Sequence, residues 1–236
     1  VMGGKASTIE VLPKMLKELK NVAIETNKEW ADILGIPASV AVTCVKPSGT
    51  VSQLVDSASG IHSRHSPYYI RTVRADIKDP LTQLMIDQGA PNEPCVMKPD
   101  STVIFSFPIK SPEGAHVVAD DTAMEQLKLW KIYQEHWCEH NPSVTVYYRD
   151  EEFLDVGSWV YNNIDVVTGV SFLPRDDHTY KQAPYQKCTE EEHEALKAVM
   201  PEIDWSKLGE YETEDRTSGS QTLACTGGSC EMVDLT

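Results

Sequence analysis

Apolar positions near the start of the chain keep a helical rhythm. Leu12, Met15, Leu16, Leu19, Val22, Ala23, Trp30, Ile33 and Leu34 share one helix face, and Gly35 supplies a stop. Ser7 and Thr8 are candidate caps, and Pro13 fits best in a first turn, so the helix is predicted to begin near residue 11 or 12. Val40–Val45 then reads as a strand, broken by Pro47-Ser48-Gly49-Thr50 and resumed over Val51–Val55. An irregular loop over Gly60–Tyr69 leads to a strand at Tyr69–Val73, a short helix at Leu81–Gln88 and a buried strand at Thr102–Pro108. A clear helix follows over Asp120–Glu139, with Met124, Leu127, Trp130, Tyr133 and Trp137 at helical spacing. A strand at Ser143–Tyr148, a helix at Glu151–Asn162 and a strand at Gly169–Leu173 complete the alternation, which predicts an α/β architecture. After Pro174 the pattern loosens into a short acidic helix, Glu190–Met200 capped by Thr189. Asp215–Gly228 follows, a Ser-, Thr- and Gly-rich stretch that reads as a mobile tail with no core to dock.

Composition narrows the functional classes. With 236 residues, 41% apolar and 24% charged, the chain suits a soluble globular protein of one large domain or two small ones. No apolar run approaches the length of a membrane-spanning helix. Acidic residues number 36 against 21 basic, a net charge of −15, so neither nucleic acid nor an anionic membrane is an expected partner. An anionic ligand would need a local site. Residues 189–236 alone carry a net −9. The six cysteines fall at 44, 95, 138, 188, 225 and 230, too dispersed for a secreted disulfide framework, and no signal-peptide pattern opens the chain. The cytoplasm is the expected compartment, and Val1 in place of an initiator Met suggests a fragment.

Two motifs carry candidate chemistry. Lys46-Pro47-Ser48-Gly49-Thr50-Val51-Ser52 combines small residues, a glycine and three hydroxyls after a strand. Such a loop can turn backbone N–H groups and side-chain donors toward a phosphate, although it is not a Walker loop. A plain strand-turn is the alternative. Cys225 and Cys230, with four residues between them of which two are glycines, suit a dithiol that visits a buried disulfide, exchanges and leaves. A zinc half-site or an incidental pair are the alternatives, and no second pair at metal spacing lies nearby. His136 and His140 stand at i and i+4, either as metal ligands or as solvated or capping residues. Arg64, Arg71 and Arg74 form a basic stretch beside His62 and His65, or a solvated strand face. Cys44, Cys95, Cys138 and Cys188 read as buried thiols, and the Met and Trp positions of the long helices as core.

Taken in order, several segments resemble the adenosylcobalamin-dependent (class II) ribonucleotide reductases, and among them the ribonucleoside-triphosphate reductase type. They are Val42–Ser52, Gly60-Ile61-His62, Tyr69–Arg74, Asn141–Thr145, Gly169–Pro174, Thr179–Tyr185 and the closing Cys225–Cys230 tail. The resemblance implies the C-terminal part of a ten-stranded α/β barrel like that of the glycyl-radical enzymes, with a flexible C-terminal tail. Residues 1–188 would belong to the barrel and its cofactor-contacting segments, and residues 189–236 to an acidic helix and a mobile redox tail. It implies cobalt–carbon homolysis in adenosylcobalamin, a thiyl radical that abstracts the ribose 3′ hydrogen, loss of water from C2′ and electrons from a cysteine pair. Cys225 and Cys230 would reset that pair and be reduced by thioredoxin. Pro47, Ser48, Gly49, Thr50 and Ser52 would hold the phosphates of a ribonucleoside triphosphate, and cobalamin would touch Gly60–Asp120 and Thr179–Ser218.

The departures from the pattern are informative. The Asn-x-Cys-x-Glu constellation of the radical cysteine is absent, as are the active-site disulfide partners and a domain for dNTP or ATP effectors. By this reading the chain is the C-terminal portion of a larger enzyme and is inactive alone. The strand Val170–Pro174 also lacks the adjacent tyrosines through which tyrosyl-radical enzymes pass a radical. A non-catalytic nucleotide- or cofactor-binding module and a stand-alone thiol–disulfide exchange protein are the other readings.

Overall fold

The computed structural model describes residues 6–48, 51–175 and 181–212. In chain order its elements are α1 (Ala6–Leu34), α2 (Val51–Leu54), β1 (Tyr68–Asp76), α3 (Pro80–Asp87), β2 (Asn92–Pro94), β3 (Thr102–Lys110), α4 (Ala123–His136), β4 (Thr145–Tyr148), α5 (Phe153–Asn162), β5 (Ser171–Pro174), β6 (Tyr185–Lys187), α6 (Glu190–Val199) and α7 (Leu208–Tyr211). The chain divides into two compact units, one within residues 1–64 and 113–176, the other within 65–112 and 177–236. No described helix is long and apolar enough to cross a membrane.

In the first unit β4 and β5 pair in parallel, from Thr145 opposite Ser171 to Tyr148 opposite Pro174. The chain between them contains α5. Parallel neighbours need such a crossover, and the alternating sequence pattern predicts it. The core collects Ile61, Leu127, Trp130, Val144, Val146 and Val156. The Trp130 indole N–H donates to the Pro142 carbonyl at 3.1 Å, so this fully buried ring leaves no polar atom unsatisfied. A capping box opens α4. The Glu125 N–H donates to Thr122 Oγ1 at 3.2 Å, while the Glu125 carboxylate accepts the Thr122 N–H at 2.9 Å. The helix ends at His136, short of the predicted Glu139, where the N–H groups of Trp137 and Cys138 both turn onto the Tyr133 carbonyl.

Three expectations for this unit need correction. Helix α1 starts at Ala6, so Ser7 and Thr8 lie within it and Pro13 is internal. The proline removes one rung, and the long run beyond it continues the helix. The apolar face is only partly covered. Leu12, Leu16 and Ala31 are buried and α1 packs against α4, but Leu19, Val22, Trp30, Ile33 and Leu34 are 49–63% exposed. Second, Val40–Val45 has no strand ladder. The N–H groups of Val42 and Thr43 donate to the Glu139 carboxylate at 2.6 and 3.1 Å, and the Thr43 and Val45 carbonyls accept from Glu139 and Ser143. Third, Val51–Leu54 is a helical turn rather than a resumed strand, because the Val51 N–H closes back onto the Ser48 carbonyl at 3.1 Å.

The second unit is built on a sheet of order β2-β3-β1-β6 with antiparallel neighbours. β1 pairs with β3 from Tyr68 opposite Lys110 to Asp76 opposite Thr102, which carries β1 beyond the predicted Tyr69–Val73. β3 is interior to the sheet, and its first four residues, Thr102–Phe105, are buried as the apolar run predicts. Met85 and Ala90 pack against Val103 and Phe105. Asp79 caps α3, accepting the Leu81 N–H at 2.8 Å, with Pro80 in the first turn. Thr189 caps α6 as predicted, in a box with Glu192.

Between α2 and β1, one backbone position allows little choice of residue. Gly60 has φ +57°, and a Cβ there would stand 3.2 Å from Val45 Cγ1 and 3.7 Å from the Lys46 carbonyl oxygen. Gly60→Ala is therefore expected to lower stability by about 1–2 kcal/mol through left-handed strain, read from urea denaturation. In the core of the same unit, Leu127→Ala should cost about 2–5 kcal/mol in the same experiment.

Candidate functional site

The hydroxyl-rich loop lies in the first unit. Pro47 and Ser48 are half-buried and lead into the turn that starts α2, on which Ser52 is buried. The Ser48 N–H donates to Ser59 Oγ at 2.9 Å, and the Ser52 carbonyl accepts the Ser57 N–H at 2.9 Å. The hydroxyl oxygens of Ser48 and Ser52 are themselves buried and have no hydrogen-bond partner among the described residues. A buried polar group without a partner costs about 1–3 kcal/mol, so two in one turn call for an explanation. The structure thus groups Pro47, Ser48 and Ser52 of the predicted site. Gly49 and Thr50 lie outside the described residues, as do Cys225 and Cys230. The Ser48 amide is already spent on Ser59, which leaves its hydroxyl to meet a ligand.

Residues that the motif did not include hold this loop in place. His62 follows Gly60 in the next turn. Its Nδ1 lies 2.7 Å from the Ser59 carbonyl, and its Nε2 accepts the Thr145 N–H at 2.9 Å. Burial holds its pKa below the usual histidine value, with the Ser59 bond acting the other way. Arg64 is 5% exposed. Its guanidinium donates to the Ser57 carbonyl at 2.7 Å and to Asp56 Oδ1 at 3.1 Å, bracing the end of the α2 turn. Nearby, the buried Asp121 carboxylate accepts from Ser63 Oγ and pairs with the His116 ring, and its carbonyl accepts from Arg175 at 3.0 Å. In the sequence only the Gly60-Ile61-His62 step after a hydroxyl-rich loop hints at any of this.

The other candidates resolve differently. The basic stretch is not a solvated face. Arg64 is buried, while Arg71 and Arg74, in the second unit, donate to the Pro184 and Gln182 carbonyls at 3.0 and 3.1 Å. Cys44 is exposed and Cys188 half-buried, so only Cys95 and Cys138 are the buried thiols expected. Burial pushes the Cys138 thiol up to about 11. Burial acts upward on Cys95 too, but hydrogen bonds from the Lys98 and Met97 backbones and from Arg74 outweigh it and bring that thiol below its usual value. Among the described residues no three His, Cys, Asp or Glu side chains gather as a metal site, so His136 and His140 gain no further ligand there.

Comparison with known proteins agrees with the motifs. An adenosylcobalamin-dependent ribonucleoside-triphosphate reductase of Euglena gracilis is 34% identical over 181 residues, covering 75% of this chain and 24% of that protein. A probable enzyme of the same name from Dictyostelium discoideum is 30% identical over 216 residues, covering 89% and 27%. The Lactobacillus leichmannii enzyme is 26% identical over 232 residues, covering 93% and 30%. The crystal structure of a B12-dependent (class II) ribonucleotide reductase shares the fold, with a TM-score of 0.72 and 23% identity over 87% of this chain and 29% of that one. No family model matches the chain. In sequence over most of its length, this chain is a relative of the adenosylcobalamin-dependent ribonucleoside-triphosphate reductases, and it spans about a quarter of their length.

Proposed function

We propose that this chain furnishes the substrate-phosphate loop, part of the catalytic barrel and the shuttle dithiol of an adenosylcobalamin-dependent ribonucleoside-triphosphate reductase. The observation that carries the reading is the pair of buried hydroxyls at Ser48 and Ser52, neither with a hydrogen-bond partner among the described residues. Phosphate oxygens are strong acceptors, and a hydroxyl that donates to an anion gains about 1.5–3 kcal/mol where it otherwise loses by being buried. In this reading Pro47, Ser48, Gly49, Thr50 and Ser52 fix the triphosphate and so hold the ribose in register. Residues 1–188 contribute to the ten-stranded barrel, and 189–236 form the acidic segment and redox tail.

Electron supply follows from thiol–disulfide exchange. A thiolate of the Cys225–Cys230 pair attacks the disulfide left when a ribose loses its 2′-hydroxyl as water. The mixed disulfide then resolves to a tail disulfide and a regenerated dithiol, and a thioredoxin-type dithiol reduces the tail in turn. Effector nucleotides would act on parts of the enzyme outside this chain, in the cytoplasm.

The described parts of the segments assigned to cobalamin lie mostly in the second unit. Arg71 lies 4.4 Å from the centroid of the Tyr185 ring, and its buried Nε has no partner among the described residues. Arg71 and Tyr185 are thus the residues that would hold the cofactor's rim. When bound, adenosylcobalamin supplies the radical initiation of the sugar chemistry.

Two tests separate the parts of this reading. Ser48→Ala and Ser52→Ala should each weaken triphosphate binding about tenfold or more by calorimetry, at roughly 1.5–3 kcal/mol per lost bond. The same changes should leave the unliganded chain as stable as before, or more so, because these hydroxyls bond to nothing described there. Unchanged affinity would remove the phosphate site. In the family-length enzyme, Cys225→Ser or Cys230→Ser should abolish thioredoxin-driven turnover and spare a single turnover of the prereduced protein. Equal loss of both would refute the shuttle.

A further inference from the structure

We propose that His62 is the positioning residue of the phosphate-gripping loop, a neutral imidazole fixed as its Nδ1–H tautomer between strand β4 and the turn that holds Ser48. This rests on the reading of Ser48 and Ser52 as the phosphate site. A backbone N–H can only donate, so the Thr145 N–H, 2.9 Å from Nε2, requires that nitrogen to be bare. The proton therefore sits on Nδ1 and points to the Ser59 carbonyl at 2.7 Å. Ser59 then takes the Ser48 N–H on its hydroxyl at 2.9 Å. The result is a series of hydrogen bonds linking a core strand to the loop and converging on Ser59, whose carbonyl accepts from His62 and whose hydroxyl accepts from Ser48.

Each link excludes an alternative. The opposite tautomer would set two N–H groups against each other at Thr145, and protonation of the ring would do the same. Burial disfavours the charged ring in any case, and the Ser59 carbonyl is the one influence acting the other way. Thr145 is 3% exposed and sits at the start of β4, opposite Ser171, so the upper end of the series is anchored. Gly60 turns the chain into this geometry at φ +57°, where a Cβ would press on Val45 Cγ1 at 3.2 Å. Because Ser59 occupies the Ser48 amide, the series sets where the Ser48 side chain begins and so where its unpaired hydroxyl can meet an oxyanion.

The test uses the full chain and two readouts. In nitrogen-15-labelled protein, long-range proton–nitrogen spectra of the imidazoles should show His62 with a bare Nε2 and a protonated Nδ1. It should stay neutral on acidification through the ordinary histidine range, as its burial requires. An Nε2–H signature, or protonation of the ring at or above the usual histidine value, overturns the proposal without any variant having to fold. Calorimetric titration with inorganic tripolyphosphate supplies the second readout. His62→Phe, which can neither accept nor donate, should bind about tenfold more weakly or worse. His62→Gln, whose amide can still accept from Thr145, should recover part of the loss. Wild-type affinity in His62→Phe, or equal losses in both variants, overturns the positioning role while the phosphate site stands. If the wild-type chain binds no tripolyphosphate, the phosphate site fails and the positioning role fails with it.

Discussion

At Thr145 the first unit fastens its loop to its core. Strand β4 is held by the apolar cluster around Trp130 and Val146, and it spends the N–H of its first residue on a side chain from elsewhere in the chain. That bond, with the Arg64 guanidinium on the Ser57 carbonyl and Asp56, ties down a turn whose own Val51, Leu54 and Val55 are exposed. Turns and loops ordinarily gain mobility from having few buried contacts. Here the histidine ties the loop to the strand, and the Ser48 and Ser52 hydroxyls have no hydrogen-bond partner among the described residues. On the proposed phosphate reading this preorganises the donors, since donors that must first be ordered lose part of their gain to entropy.

The two units divide the work. The first carries the parallel β4–α5–β5 crossover and the hydroxyl loop. The second carries the antiparallel sheet, the Arg71–Tyr185 stack and the acidic helix α6, which packs on β3. The order of motifs in the sequence therefore differs from their grouping in space, because the chain leaves the first unit after Arg64 and returns to it at Glu113.

Much of the fold is legible where local chemistry and burial agree. The cap at Thr189 marks a real helix start, and the apolar run Thr102–Pro108 is an interior strand. Legibility fails where a tertiary partner decides. Val40–Val45 has the residues of a strand, yet a ladder needs a neighbour, and its amides meet the Glu139 carboxylate instead. β2 and β6 are three-residue edges defined only by pairing with β3 and β1. Pro13 reads as a boundary because propensity is local, whereas a long helix tolerates one missing rung. The site shows the same split. Its hydroxyls stand in one contiguous motif, but His62 acquires its role from a strand that lies 83 residues away in sequence.

The uncovered side of α1 has a practical corollary. Leu19, Val22, Trp30, Ile33 and Leu34 give a lone copy of this chain a greasy stripe, while a net −15 keeps copies apart. Mutual repulsion of that kind is screened over about 8 Å at physiological ionic strength. Colloidal behaviour then hinges on buffer composition: dilute salt favours dispersed chains, and concentrated salt lets the stripes find one another.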